Sequence, residues 1–227
     1  MFRELLSIFR SKDVLAEMGE NFTRMLQLAH EMTLTAGAVF FGKKIPQQER
    51  DYLYQQDIRV NQSERSIRKQ VVAHLSIQGN RLDVPYCLLL MSLVKDVERL
   101  GDYAKNILEL ADVGPDQFPE DEVVTELQSI RQGVEDLFEA ALKILSSSES
   151  DQALRLIREG REIAQRSDSL IESIARANYD ASTTTALVLG TRYYKRIGGH
   201  LLNVISSVVM PLHKVDYFDE DEILSRP

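Results

Sequence analysis

In its 227 residues the chain has one cysteine, no tryptophan, six prolines and eleven glycines. Each shortage excludes something. The lone Cys87 cannot close a disulfide within the chain and has no second thiol for a zinc or redox pair. It stands in the apolar run Tyr86-Cys87-Leu88-Leu89-Leu90-Met91 and is expected to be a small buried hydrophobe. The longest apolar stretch, around Leu88 to Val94, is closed by Lys95 and Asp96, well short of the roughly 20 residues that a membrane-spanning helix needs. The start, Met1 to Leu6, meets Arg10, Lys12 and Asp13 before a secretory apolar core can form, so no signal peptide is read and residence in the cytoplasm is expected. Basic residues are also in deficit, 27 against 35 acidic, for a net charge of -8. The overall field therefore repels nucleic acid and anionic lipid. Phosphate-cradling glycine loops, nucleophile elbows and paired histidines are missing, and His30, His74, His200 and His213 are scattered, so no self-sufficient active site is read.

What the chain does have is helical periodicity. The scarce breakers fall at Gly42 to Pro46, Gly79 to Pro85, Gly114 to Pro119 and Pro211, and these mark the helix ends. Between them apolar residues recur every three or four positions, as in Met18, Phe22, Met25, Ala29, Met32 and again in Leu127, Ile130, Val134, Leu137, Ala141, Leu145. The spacing predicts six long helices. The second runs from Pro46 to about Ile77, the third from the Asp83-Pro85 turn through Leu110, the fifth from about Asp151 to Asn178, and the sixth from after the Ser182-Thr185 cluster to Pro211. A short amphipathic piece, Phe2, Leu5, Leu6 and Phe9, precedes them. An acidic tail from Asp216 to Glu222 follows and is expected to be mobile.

The third and sixth helices share a pattern. Glu98-Arg99-Leu100-Gly101-Asp102-Tyr103-Ala104-Lys105-Asn106-Ile107 aligns with Lys195-Arg196-Ile197-Gly198-Gly199-His200-Leu201-Leu202-Asn203-Val204, keeping arginine, an aliphatic, glycine, asparagine and an aliphatic in register. Such self-similarity marks a duplicated unit. The expected architecture is all-α, two tandem three-helix bundles related by a pseudo-twofold axis. The expected divisions are 1-114, 115-214 and a tail at 215-227.

Glu98 and Asp102 are one helical turn apart on one face, where two carboxylates can share a cation. On the second helix Asp57 and Glu64 occupy slots of the apolar stripe Leu53, Asp57, Val60, Glu64, Ile67, Val71. Buried carboxylates require partners, and two readings follow. Arg59, Arg65, Arg68, Lys95 and Arg99 complete an internal salt-bridge network, or Asp57, Asn61, Glu64, Glu98 and Asp102 hold a metal. Oxygen-only ligands favour magnesium, manganese, calcium or iron over copper or a thiolate-type zinc site. Gly101 and Gly198 are expected where helices approach closely. Tyr193 and Tyr194 read as packing residues, and His200 is the histidine nearest to the motif.

The repeated Glu-Arg-aliphatic-Gly-Asp block and the six-helix length resemble the PhoU family of phosphate-transport regulators. That resemblance implies a cytoplasmic, non-enzymatic regulator of phosphate uptake and of phosphate-responsive signalling, placed at the inner face of the membrane through a partner. The partner it implies is a phosphate transporter or a membrane sensor histidine kinase. It further implies homodimers and multinuclear metal clusters on acidic motifs, with iron, manganese, magnesium or zinc as candidates. The first-repeat positions stand at Glu98 and Asp102, with Asp57, Asn61 and Glu64 on the second helix. Lys195 and Gly199 replace acids in the second repeat, so a site there is expected to be lost despite Asp168 and Glu172 on the fifth helix. The same departure fits a divergent paralogue serving another transporter, such as a sodium-phosphate symporter. Two alternatives stand beside this reading: a metal-storage or redox helical bundle, which the absence of Glu-x-x-His pairs disfavours, and a structural adaptor without metal.

Overall fold

The structure, a computed structural model, describes residues 14–147 and 149–215. The amphipathic Phe2 to Phe9 stretch and the acidic tail from Asp216 lie outside the described residues. Six long helices account for the fold: α1 Val14–Phe40, α2 Gln47–Leu75, α3 Val84–Leu110, α4 Glu122–Ser147, α5 Ser150–Arg176 and α6 Ala181–Ser206. Short 3-10 turns stand at Asn80–Asp83 and Leu212–Lys214. No strand occurs among the described residues.

Helix ends follow local chemistry. Pro46 precedes α2 in extended conformation, and Gly79 takes a left-handed φ of 110° before the turn into α3, a conformation that glycine adopts without steric cost. The sixth helix begins earlier than the serine and threonine cluster suggests. Asp180 is its N-cap, the carboxylate accepting from the Thr183 N–H at 2.7 Å, so the cluster forms the first turn instead of preceding it. The fifth ends at Arg176 because Ala177 turns extended. The sixth stops at Ser206, short of Pro211, where Ser207 to Met210 leave the helix in a tight turn.

Helices α1, α2 and α3 pack on one another, as do α4, α5 and α6, and the bundles join through α3 against α6 and α1 against α4. Each helix of the junction therefore meets its own counterpart, as a twofold axis between the copies requires. Side chains obey the same operation. Asp96 meets His200 at 2.8 Å, and Tyr193 and Tyr103, which stand at the equivalent repeat positions, meet at 5.8 Å between ring centres. Burial is continuous across the junction, from Met18, Met25 and Met32 on α1 through Leu93 and Leu100 on α3 to Tyr194 and Ile197 on α6. Cys87 is buried, as its apolar surroundings suggest.

The linker between the bundles is anchored by Phe118, whose ring packs on Phe40 at 5.0 Å and on Phe41 at 5.8 Å. Val215 is also buried, and its carbonyl accepts from the Ser206 hydroxyl at 2.6 Å.

The glycines that permit close approach differ from those the repeat suggests. A Cβ on Gly198 would sit 3.8 Å from Val134, and one on Gly101 3.4 Å from Val60, both ordinary contact distances. Tighter places include Gly160, where a Cβ would stand 2.5 Å from Leu202, Gly37, where it would stand 2.7 Å from the Tyr194 hydroxyl, and Gly190, where it would stand 2.8 Å from Phe40. Large side chains fill the notches that these glycines leave.

Candidate functional site

The acidic residues of the first repeat converge where α2 crosses α3. Asp57 is only 7% exposed, facing inward among Leu53, Val60 and Ile67. Its Oδ2 accepts from Lys105 Nζ at 3.1 Å, while its Oδ1 is buried without a partner. Lys105 also reaches Asp102 at 3.7 Å. Arg99 Nη1 donates to Asp102 at 2.9 Å, and its Nε lies 3.5 Å from Glu98. Arg68 Nη2 meets Glu64 at 2.8 Å, with its Nε buried and unpartnered. Burial raises the Glu98 pKa, with the charges of Asp102, Glu64 and Asp57 adding to it against the opposing pull of Arg99. Burial alone would lower the Lys105 pKa, but the hydrogen bond to Asp57 and its charge outweigh it and raise the value.

Four carboxylates thus share one electrostatic neighbourhood with three bases. Asn61 lies half-buried beside them on α2, and its carbonyl accepts from Arg65 Nε at 3.2 Å. Among the described residues no three His, Cys, Asp or Glu side chains are placed so that they could hold a metal ion. Of the bases named from the sequence, Arg68 and Arg99 take part. Arg59 lies instead over the Tyr52 ring at 5.9 Å. Lys105 escaped the sequence reading. Its signal was available: the repeat sets it against Leu202, and a lysine in a slot that is aliphatic in the other copy requires a buried acid to meet it.

The second copy has discarded this arrangement. Matching the buried faces of α2 and α5 sets Leu53, Asp57, Val60, Ile67 and Val71 against Leu156, Gly160, Ile163, Leu170 and Ile174. Asp57 is then replaced by Gly160, Asn61 by Ala164 and Glu64 by Ser167. The packing agrees, for Gly160 faces Leu202 as Asp57 faces Lys105. Together with Lys195 for Glu98 and Gly199 for Asp102, every candidate ligand is gone from the second copy. Lys195 takes both oxygens of Asp168 at 2.6 Å, and Glu172 pairs with Arg176 on the solvent side at 3.5 Å.

Asp96 was also missed by the sequence reading. It is buried at the seam between the bundles, where it accepts from His200 Nδ1 and from Asn203 Nδ2, each at 2.8 Å. Tyr103 stacks on His200 at 5.8 Å, and Tyr194 is fully buried between the bundles. The repeat residues His200 and Asn203 serve the junction here.

These features define a class: an internally duplicated helical protein whose first copy alone carries a buried patch of acids and bases. Residues 22–111 match the family model described as the PhoU domain. The repeat motif of α3 lies inside that matched segment. Among curated proteins none matches. Two solved structures share the fold over nearly the whole chain. The phosphate transport system regulatory protein PhoU from Streptococcus pneumoniae is 17% identical with a TM-score of 0.71, covering 90% of this chain and 95% of its own. PhoU from Pseudomonas aeruginosa is 21% identical with a TM-score of 0.64, covering 94% and 99%. The matched domain ends with the first bundle, and the second is the copy whose acidic positions are replaced.

Proposed function

We propose that this protein is a non-enzymatic regulator of phosphate uptake and phosphate-responsive signalling, acting in the cytoplasm by binding a phosphate transporter or its sensor kinase. The observation that carries this reading is the match to the PhoU domain at residues 22–111, set in a fold shared over both bundles with a phosphate transport system regulatory protein and a second PhoU. No described helix is long and apolar enough to cross a membrane, so attachment to a transporter would be through protein contact. Self-association as a homodimer belongs to the same proposal. The test is affinity purification of the tagged chain from cells grown with abundant and with limiting phosphate. Recovery of a phosphate transporter or sensor kinase, changing with phosphate, is expected. Recovery of neither at either level, together with unchanged phosphate uptake in a deletion strain, overturns the reading.

A metal in the first repeat is part of this proposal, held by Asp57, Asn61, Glu64, Glu98 and Asp102. The buried, unpartnered Asp57 Oδ1 and the crowding that raises the Glu98 pKa support a hard cation, which would have to draw the carboxylates together, since no three of them are placed to hold one here. Such a cation would supply charge neutralisation and fix the surface that a partner reads. Lys105, Arg68 and Arg99 already contribute positive charge at this place, which favours the second reading, an adaptor held by salt bridges without metal. Elemental analysis of protein purified without chelator separates them. Metal present in the wild type and lost in Glu98→Ala/Asp102→Ala supports the first reading, and equal content in both removes it.

A further inference from the structure

On the molecule's outer face, the seam where α3 crosses α6 has a charge opposite to that of the whole chain. Helix α6 contains no aspartate or glutamate but carries Arg192, Lys195 and Arg196. Lys195 is neutralised by Asp168. Arg192 and Arg196, one turn apart on one face, are exposed and have no ion pair among the described residues. The repeat sets Lys95 and Arg99 at the same places on α3. Lys95 is exposed and unpaired too, whereas Arg99 is bound to Asp102 and Glu98.

The contacts across the seam fix how these four lie. Asp96 against His200 and Tyr103 against Tyr193 make α3 and α6 antiparallel. Arg99 and Arg196 then stand nearly level beside the pseudo-twofold axis, with Lys95 further out along one side and Arg192 along the other. Asp96 and Tyr103 point into the seam. Helical rotation carries Lys95 and Arg99 from there toward the outer surface, away from the core residues Val97, Leu100 and Ala104. The pseudo-twofold carries Arg192 and Arg196 to the same surface. The result is a line of cations crossing from one bundle to the other, about 14 Å long at 1.5 Å rise per residue.

We propose that this seam binds a linear condensed phosphate, an inorganic oligophosphate long enough to meet cations on both helices. Paired arginines on one turn present forked donors suited to phosphate oxygens, and a chain of linked phosphates matches a line of charge better than a single ion does. Shape excludes the flat alternative. Glu98 and Asp102 flank the line on the first-bundle side, where they hold Arg99, and the chain's net charge of -8 would oppose an anionic bilayer laid across the face, whereas a narrow anion can follow the unpaired Lys95, Arg192 and Arg196 along the seam. Gly199, exposed with nothing within 4 Å of where its Cβ would be, leaves the second-bundle side open where Asp102 stands in the first. The proposal rests on the seam alone and is independent of any transporter or kinase partner.

The experiment is calorimetric titration of the full chain with sodium tripolyphosphate and with orthophosphate at matched ionic strength, at low and at raised salt. Tripolyphosphate is expected to bind at one site, more tightly than orthophosphate and more weakly as salt rises. Arg192→Gln/Arg196→Gln should weaken it about tenfold or more, and Lys95→Gln should weaken it less. Arg155→Gln/Arg158→Gln, an equal charge change at exposed positions of α5, should leave it within about twofold. Circular dichroism confirms that the variants fold. Failure of the wild type to bind overturns the proposal, as does equal loss in both double variants or binding no tighter than orthophosphate, which marks an adventitious ion only. Vesicles containing anionic phospholipid are the remaining arm, and their binding in place of tripolyphosphate, lost in Arg192→Gln/Arg196→Gln, overturns it in favour of a membrane surface.

Discussion

Lys105 on α3 donates to the buried Asp57 on α2 at 3.1 Å, and in the other bundle Leu202 lies in the notch over Gly160. One crossing of two helices is solved twice, once by an ion pair and once by packing. The polar solution leaves a carboxylate oxygen unpartnered and so depends on its lysine.

Replacing Lys105 by Met is expected to destabilise the first bundle by about 3 kcal/mol, because a buried charge loses its partner. The double change Asp57→Ala/Lys105→Met should recover most of that loss, since removal of both charges removes the desolvation cost. Urea denaturation of the wild type and the two variants checks this, and equal midpoints for the single and double variants would contradict it.

The glycines give a paired expectation. Gly190→Ala places a methyl group 2.8 Å from the Phe40 ring and should cost about 1–3 kcal/mol through overpacking. Gly199→Ala meets nothing within 4 Å and should stabilise by about 0.5–1 kcal/mol, the helix preference of alanine over glycine. Thermal unfolding of both variants should show shifts of opposite sign.

Glu98 supplies a pH dependence. Burial first, then the charge of Asp102, holds its pKa above the ordinary glutamate value of 4.5. A carboxyl whose pKa is raised on folding binds its proton more tightly in the native state. Its contribution is therefore most favourable below 4.5 and is lost as pH rises through the raised value. Glu98→Gln should accordingly raise the melting temperature at pH 7 relative to wild type, with the difference vanishing below the ordinary glutamate range. A difference that grows on acidification would reverse the sign and refute the crowding of carboxylates at this site.

Much of this was legible in the residues. Apolar spacing gave the six helices, since the period of a buried stripe is a local property. The shared Arg-aliphatic-Gly pattern of α3 and α6 revealed the duplication, and the loss of acids at Lys195 and Gly199 was visible as substitutions within it. Asp57 and Glu64 betrayed themselves by interrupting an apolar stripe. Legibility failed where a residue's role depends on what lies opposite. Lys105 read as an ordinary charged helix residue, and Asp96 as one acid among many, because their partners stand on other helices. Gly101 and Gly198 drew attention through the motif, while Gly160 and Gly190, which occupy the tight crossings, have no motif to mark them.

The sequence by itself determined that the chain is helical, doubled and asymmetric in its acids, because period, repeat and substitution can all be read along one dimension. Tertiary structure alone decided which base meets which acid, where glycines admit a neighbouring side chain, and that cations from two repeats line up across a seam. Those properties arise from distances between helices, and such distances are set only when both apolar stripes are buried together.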